Sequence, residues 1–224
     1  MQHYPLFLDL SGKNILIIGA GAVGQRKSAS LIPCAPRTIT IIDPELSSAA
    51  IQKLTASGPV ICHARAFAPD DVHGKDLVFA ATDRRDVNAR VAALCRERGI
   101  FCNVADAPAE SDFFVPAHFT SNGITLAVST GGQSPALAGR LRAELEEWVG
   151  TRYSGLAALL GRLRPLLLAL GLPTEENADI FRILVQSPLA ELLESRQLEA
   201  IEALLLEQLP KPLHASIGEL LHGF

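Results

Sequence analysis

Residues 13–24 read KNILIIGAGAVG. The four consecutive aliphatic residues, Ile15 to Ile18, predict a strand that is buried on both faces, as in the centre of a parallel sheet. A GxGxxG motif follows at once. Its first glycine, Gly19, allows a tight turn, Gly21 lets the backbone approach a pyrophosphate, and Gly24 lets the next helix pack closely on the strand. The stretch therefore predicts the first strand and the phosphate-binding turn of a dinucleotide-binding fold.

The sequence after the motif predicts a helix from Ala22 to about Ile32 and a second strand at 38–42, which ends at Asp43. An acidic residue about 20 positions after the motif can accept hydrogen bonds from the adenosine ribose hydroxyls. The first helical residues, Ala22 and Val23, and Thr82, which follows a later strand, complete the predicted cofactor site. A carboxylate here repels a 2′-phosphate and favours NAD over NADP. Three basic residues near in sequence weigh against that preference: Arg26, Lys27 and Arg37. The alternative is a strand–turn–helix that binds no ligand.

Strands and helices continue to alternate up to about residue 104. Strands are predicted at 60–64, 76–81 and 100–104, and helices at 47–57 and 86–98. This alternation is typical of an α/β fold with a Rossmann-like, doubly wound parallel sheet. Ligands bind such sheets beyond the carboxyl ends of the strands. Four candidate residues follow predicted strand ends and are expected to line one crevice: Gly19, Asp43, Thr82 and Asp106.

Asp106 is the candidate residue for chemistry. It follows the fifth predicted strand, where a carboxylate beside a nicotinamide can act as a general base or orient a substrate N–H group. Capping of the turn before Pro108 accounts for an aspartate at this position equally well. Asn103, in the same strand, is either a turn residue or a substrate ligand. The local pattern leaves these alternatives open.

The alternation stops after residue 112. Apolar runs at 113–116 and 124–128 predict two strands joined by a turn at 121–123. A helix is predicted next, with Ser134 as its N-cap, and it runs to about Trp148. The strands and this helix form a small α+β segment after the Rossmann-like domain.

The loop at 129–135 is rich in glycine and hydroxyl groups, which suits an anion site at a helix N-terminus. Its candidate ligands are Thr130, Gly131, Gly132 and Ser134. A capped helix start accounts for Ser134 but gives residues 130–132 no role. Two further candidates for a substrate contact flank the loop: His118 and Arg140.

The remaining residues, 151–224, are predicted to be helical, because leucines recur at the spacing of one buried helix face at 156, 159, 160 and 163. Helix boundaries are predicted at Pro173, Pro188 and Pro210. The whole pattern predicts three parts: an NAD-binding domain at 1–112, the α+β segment at 113–148 and an all-helical domain at 149–224.

Composition argues against several classes of function. The 224 residues carry a net charge of −4 and only scattered basic residues, so we expect no nucleic-acid partner. The most apolar window, 156–172, is interrupted by two arginines and a proline, so we expect no membrane span. We expect no signal sequence, because the first residues lack a basic start and an apolar core. The four cysteines form no C-x-x-C pair, which favours free thiols in a cytoplasmic protein. The sequence shows no separate cluster of metal ligands.

Five ordered blocks of the sequence resemble the precorrin-2 dehydrogenase family, the dehydrogenase and sometimes also ferrochelatase module of siroheme synthase. The blocks lie at 4–7, 19–27, 80–83, 101–106 and 129–135. The resemblance extends from about residue 3 to residue 148. The chain departs from the family at 32–36, where IPCAP stands in place of a turn with glycine. We also expect no fused methyltransferase domain, since the sequence ends at residue 224.

The resemblance implies NAD-dependent oxidation of precorrin-2 to sirohydrochlorin, with Asp106 as the catalytic residue. It also implies a homodimer formed through residues 113–148 and a position for Thr130 near the tetrapyrrole pocket. In bifunctional members the enzyme also inserts Fe²⁺, which needs only a base for the pyrrole protons. Because the substrate is rich in carboxylates, Arg140 and Arg142, with the Gly131–Gly132 backbone, are candidates for binding it.

Two other functions remain open. A different NAD dehydrogenase, for a small substrate, would need a catalytic Lys, Tyr or His at a strand end, and the sequence offers no convincing one. A non-enzymatic NAD-sensing module would keep the glycine motif and Asp43 but would not need the loop at 129–135. Replacement of Asp106 separates a sensor from an enzyme, because a sensor should bind NAD unchanged.

Overall fold

The computed structural model describes residues 3–46, 49, 52, 55, 56, 58–105 and 107–224. The chain divides into two units, Tyr4–Val115 and Pro116–Phe224. The finer, three-part division that the sequence suggests stays a prediction.

A parallel sheet forms the centre of the first unit. Its strands are β1 (Asn14–Ile18), β2 (Thr38–Ile42), β3 (Val60–His63), β4 (Leu77–Ala80) and β5 (Phe101–Val104). They are all parallel and lie in the order β3-β2-β1-β4-β5. This confirms the predicted Rossmann-like sheet. The strand order reverses between β1 and β4, and ligands bind such sheets at this switch point, beyond the carboxyl ends of the strands.

Helices cover both faces of the sheet. The helix α1 (Ala22–Leu31) packs on one face, and α2 (Arg85–Arg98) packs on the other. Ile15 to Ile18 are at most 2% exposed, so β1 is buried on both faces as its sequence predicts. The predicted helix at 47–57 falls largely outside the described residues.

The connection from α1 to β2 is built without the glycine that the family resemblance leads us to expect. A short 3₁₀ helix, Ile32–Cys34, extends α1, and Ala35 then adopts the left-handed conformation with φ 50° and ψ 48°. The N–H group of Ala35 donates to the carbonyl of Ile32 at 3.1 Å and closes the turn. A non-glycine residue in this region costs about 1–2 kcal/mol. The turn therefore forms by a different backbone route, at the amino ends of the strands and away from the glycine motif.

The second unit begins with an antiparallel hairpin of β6 (Ala117–Ser121) and β7 (Ile124–Val128). Asn122 and Gly123 join the strands with φ 46° and 82°, as a tight two-residue turn requires. The prediction of a strand at 113–116 is wrong. Phe113 instead packs against Phe79 of β4, with 5.5 Å between the ring centroids. Phe113 therefore packs on the parallel sheet, whereas Phe114 and Val115 are 41% and 40% exposed.

Helices follow the hairpin. They are α3 (Pro135–Arg152), α4 (Ser154–Ala169), α5 (Thr174–Gln186), α6 (Leu189–Glu194), α7 (Leu198–Gln208) and α8 (Ile217–Leu220). Pro173 and Pro188 directly precede α5 and α6, and Pro210 precedes the 3₁₀ helix Lys211–Ser216, so the three predicted boundaries are confirmed. Leucines from these helices share one buried core. Among the helices that the structure describes, none is long and apolar enough to cross a membrane.

Candidate active site

The first and third glycines of the motif are fixed by backbone contacts that leave no room for a side chain. Gly19 has φ +99°, and a Cβ atom on it would lie 2.4 Å from the carbonyl oxygen of Ala81, just past β4. A Cβ atom on Gly24 would lie 2.0 Å from the carbonyl oxygen of Gly19. The start of α1 therefore touches the turn after β1, and that turn touches the loop after β4.

Gly21 stands in open space. Apart from Gly21 itself and its two neighbours in the chain, no described residue has an atom within 4 Å of the position that a Cβ atom on Gly21 would take. This residue is the N-cap of α1, and no side-chain cap is found there among the described residues. The N–H groups of the first helical turn, including those of Ala22 and Val23, have no carbonyl partner within the helix. An open, uncapped helix N-terminus of this kind fits the pyrophosphate of a dinucleotide.

Asp43 lies directly beside the glycine turn. Its Oδ2 accepts a hydrogen bond from the N–H group of Ala20 at 2.6 Å, and its Oδ1 accepts one from Glu45 at 2.8 Å. The side chain is partly exposed. A carboxylate held between the glycine turn and solvent is in a suitable place to receive the ribose hydroxyls of a bound dinucleotide.

Lys27, on α1, lies against a different strand from the one that Asp43 follows. Its ammonium group lies over the ring of Phe79, 5.3 Å from the ring centroid, and burial is the main cause that lowers the pKa of Lys27. Phe79 is on β4, whereas Asp43 follows β2 on the opposite side of β1. Of the three basic residues that weigh against NAD in the sequence, Lys27 is therefore directed away from Asp43.

The loop after β4 is fixed by Asn88, a residue that the sequence analysis missed. Thr82 donates through its hydroxyl to Asn88 Oδ1 at 2.7 Å and through its N–H group to the same oxygen at 3.2 Å, while Asn88 Nδ2 donates to the Thr82 carbonyl at 2.9 Å. The Thr82 hydroxyl is thus engaged within the protein. A signal was present in the sequence, since Asn88 occupies the apolar stripe of α2 with Val91, Ala92 and Cys95.

Asp106 lies outside the described residues, so its predicted role stays a prediction. Hydrogen bonds hold described residues of the chain before and after it. The N–H group of Val104 donates to Ser111 Oγ, and that of Cys102 donates to Asp112 Oδ2, both at 2.9 Å. The connection between β5 and Ser111 therefore leaves and returns at the carboxyl end of β5, on the same edge of the sheet as the glycine turn.

Asn103 has a structural partner. Its Nδ2 donates to the carbonyl of Phe113 at 2.9 Å and ties the segment after the β5 connection to the sheet. This contact favours the structural interpretation of Asn103 over the ligand interpretation, and a substrate contact for it stays a prediction.

In the second unit, the loop at 129–135 forms a closed cap on α3. Thr130 Oγ1 accepts from the N–H group of Ser134 at 3.0 Å and donates to its carbonyl at 3.1 Å, and Ser134 Oγ accepts from Leu137 at 3.2 Å. Gly131 and Gly132 have φ 62° and 85°, which favours glycine. The capped-helix interpretation thus explains Thr130 and both glycines. A ligand role for this loop stays a prediction.

The other predicted substrate contacts of this unit also have partners. Arg140 pairs with Glu144 at 2.7 Å and Arg142 with Glu146, each one helical turn further along α3. His118 Nδ1 lies 3.0 Å from the carbonyl oxygen of Pro116. No group of three or more His, Cys, Asp or Glu side chains that could hold a metal ion is found in the part of the chain that the structure describes.

Comparison with known proteins agrees with this geometry. Residues 6–117 match the model of a family described as putative NAD(P)-binding, and residues 122–147 match that of the sirohaem biosynthesis protein central region. The chain is 36% identical over 219 residues to a siroheme synthase of Ectopseudomonas mendocina, covering 98% of this chain and 46% of that protein. It is also 36% identical over 200 residues to one of Thioalkalivibrio sulfidiphilus, covering 89% and 40%. The chain thus spans less than half the length of these relatives.

A solved structure described as SirC, precorrin-2 dehydrogenase, has the same fold. It superposes with a TM-score of 0.72 over 90% of this chain and 100% of its own, at 22% sequence identity. The fold and the glycine turn define a Rossmann-type protein, and the matched family model makes it one that binds a nicotinamide dinucleotide. The chain belongs to the siroheme synthase family of NAD(P)-binding proteins, as the resemblance in its sequence predicts.

Proposed function

We propose that this chain catalyses the NAD-dependent oxidation of precorrin-2 to sirohydrochlorin in siroheme biosynthesis. The observation that carries the proposal is the similarity to siroheme synthase over 98% of the chain, including the matched central region. Anaerobic incubation with precorrin-2 and NAD tests it: the absorption spectrum of sirohydrochlorin should appear. A sensor module, or a dehydrogenase for a small substrate, would leave the precorrin-2 spectrum unchanged.

When bound, the nicotinamide cofactor would supply the acceptor for a hydride from a saturated carbon of the macrocycle. The protein binds and orients the two molecules and takes up a proton. Three features of the first unit serve the cofactor. The open turn at Gly21 receives the pyrophosphate on the N–H groups of α1, Asp43 receives the adenosine ribose, and the loop at Thr82 borders the cleft at the switch point between β1 and β4.

Asp106 is proposed as the residue that accepts or stabilises the proton. It lies in the segment between Val104, whose N–H group donates to Ser111, and Asp112, which accepts from the N–H group of Cys102 within β5. A carboxylate at a strand end of this kind is easily solvated and can reach a macrocycle in the cleft. The same base would serve Fe²⁺ insertion, in which the pyrrole protons must leave. A parallel incubation of sirohydrochlorin with Fe²⁺ tests this second activity separately.

The proposed substrate contacts are Asn103, His118, Thr130, Gly131, Gly132, Ser134 and Arg140, with Arg142 beside them. Precorrin-2 is rich in carboxylates, and a protein of net charge −4 needs local cations to bind it. Arg140 is engaged in an exposed i,i+4 pair with Glu144. Such pairs are worth only about 0.3–0.5 kcal/mol. A substrate carboxylate can therefore displace Glu144 at little cost.

The proposed cofactor is NAD and not NADP, because Asp43 would repel a 2′-phosphate. Asp43→Ala is expected to weaken NAD binding roughly ten- to hundredfold, since a hydrogen bond to a charged group is worth about 1.5–3 kcal/mol. The affinity of this variant for NADP should fall less than its affinity for NAD, or should rise. The preference for NAD over NADP therefore becomes smaller. Isothermal titration with both dinucleotides measures the effect.

Asp76→Ala is the matched control for this prediction. Asp76 Oδ2 also accepts a backbone hydrogen bond, from Asn14 at 2.8 Å, but at the amino end of β1. This variant should keep wild-type affinity for NAD. An Asp43→Ala variant that binds NAD as tightly as the wild type would show that the carboxylate does not contact the ribose.

The proposed assembly is a homodimer formed through residues 113–148. Leu137, Leu141 and Trp148 are 48%, 37% and 51% exposed on α3, and their spacing puts them on one stripe. An exposed apolar stripe beside a two-stranded sheet invites a partner. Light scattering at micromolar concentration should therefore give about twice the chain mass of 23.9 kDa.

Leu141→Arg is expected to shift this assembly towards the monomer, because a buried unpaired charge opposes association. Leu206→Arg on α7 is the control, since Leu206 is similarly exposed, at 41%, outside the proposed interface. A wild-type mass near that of one chain would contradict the dimer. A cytoplasmic location completes the proposal and agrees with four cysteines that are all free thiols.

A further inference from the structure

We propose that Asn88 is a positioning residue of the cofactor site, which fixes the loop after β4 against the glycine turn and so sets the shape of the cleft that receives the dinucleotide. The inference rests on the nicotinamide cofactor of the proposed function. It depends on none of the substrate assignments.

The side chain of Asn88 makes three hydrogen bonds to a single residue, Thr82. Its Oδ1 accepts from the hydroxyl and from the N–H group of Thr82, and its Nδ2 donates to the Thr82 carbonyl. The Thr82 hydroxyl in turn accepts from the N–H group of Arg84 at 3.2 Å. The amide therefore determines both the backbone direction at Thr82 and the rotamer of its side chain.

The loop that Asn88 holds is the one on which the glycine turn rests. A Cβ atom on Gly19 would lie 2.4 Å from the Ala81 carbonyl oxygen and 2.9 Å from the Thr82 nitrogen, so this backbone is in direct contact with the peptide between Ala81 and Thr82. If that peptide shifted towards the glycine turn, it would clash with the backbone of Gly19. The contacts thus connect Asn88, through Thr82, to the turn that carries Gly21.

The chemistry of this position requires an amide. Asn88 is 4% exposed and lies on the buried stripe of α2, where an apolar residue would pack well. Burial of an amide is unfavourable unless its groups are hydrogen-bonded. Aspartate has the acceptor and lacks the donor, and alanine has neither. A purely apolar packing role would be filled better by leucine, so the amide points to the geometry of the loop.

The test compares Asn88→Ala and Asn88→Asp with Asn14→Ala in the full-length chain. Asn14 also donates to a backbone carbonyl, that of Gly74, and accepts from Thr38, but at the opposite edge of the same sheet. Dissociation constants for NAD and NADP and the thermal midpoint are measured for each protein. Asn88→Ala and Asn88→Asp should weaken dinucleotide binding roughly ten- to hundredfold. Asn14→Ala should change it less than about twofold at a similar loss of stability.

A double-mutant cycle with Thr82→Val gives a second measurement. Valine keeps the shape of Thr82 but removes its hydroxyl, so Thr82→Val should weaken binding by itself and add little in the Asn88→Ala background. Additive losses, wild-type affinity in Asn88→Ala, or an equal loss in Asn14→Ala would overturn the inference. A wild-type chain that binds neither dinucleotide would overturn it as well. A chain that binds NAD but does not oxidise precorrin-2 would overturn only the proposed reaction, and the Asn88 losses would still support the positioning role.

Discussion

Replacement of Asp106 by asparagine is expected to lower the rate of precorrin-2 oxidation roughly 10²- to 10⁴-fold. Asparagine keeps the shape and most of the hydrogen bonding of aspartate but cannot accept a proton. Affinity for NAD and the thermal midpoint should stay at wild-type values, because the residue follows β5 whereas the proposed pyrophosphate and ribose contacts follow β1 and β2. Steady-state rates and isothermal titration on the same preparations measure both quantities.

The comparison with Asp106→Ala separates two roles for the carboxylate. If Asp106 only orients the substrate, the asparagine variant should retain much of the dehydrogenase rate while the alanine variant loses it. Insertion of Fe²⁺ requires loss of the pyrrole protons, so it should then fail in both variants. Wild-type rates for both activities in both variants would remove Asp106 from the mechanism.

Two alanine substitutions in the glycine motif are expected to weaken dinucleotide binding for different reasons. Gly24→Ala puts a methyl group 2.0 Å from the Gly19 carbonyl oxygen, a backbone atom that cannot move without displacing the turn. Overpacking of this kind costs about 1–3 kcal/mol. Gly24→Ala should therefore lose both stability and dinucleotide binding. Chemical denaturation and isothermal titration measure the two losses.

Gly21→Ala meets none of the described atoms within 4 Å and has an ordinary backbone conformation, with φ −64°. Its stability should stay within about 0.5 kcal/mol of the wild type. The methyl group nevertheless fills the space that the pyrophosphate must enter. Loss of charged hydrogen bonds worth about 1.5–3 kcal/mol each should weaken NAD binding roughly a hundredfold. Tight NAD binding by Gly21→Ala would contradict the proposed pyrophosphate position.

The sheet could be predicted from the sequence because the residue pattern of a strand reflects whether its faces are buried. The run from Ile15 to Ile18 has no polar alternation, which happens when both faces are covered, and the structure buries all four residues. The glycine spacing fixes what comes before and after the motif. Asp43 could be placed beside the turn for the same reason, since the carboxyl ends of neighbouring parallel strands meet at one edge.

The predictions from sequence fail where a contact depends on the folded backbone and is not visible in the local pattern of residues. Within the run at 113–116, Phe113 packs on Phe79 of the parallel sheet, and the local pattern cannot distinguish that packing from a strand. The sequence pattern assigns Thr130 no role in a capped helix, yet its hydroxyl holds Ser134 through two hydrogen bonds. Asn88 stands out as a polar residue on an apolar stripe, but its partner, Thr82, is identified only by the fold.

The proposed oxidation of precorrin-2 by NAD is tested most directly by the stoichiometry of one anaerobic reaction. Precorrin-2 in excess is mixed with the wild-type chain and a limiting, known amount of NAD, and NADH and sirohydrochlorin are quantified at completion. The proposed reaction should yield one sirohydrochlorin for each NADH formed and no product when NAD is left out. Sirohydrochlorin formation without NADH, or NAD binding with no oxidation of precorrin-2, would contradict it.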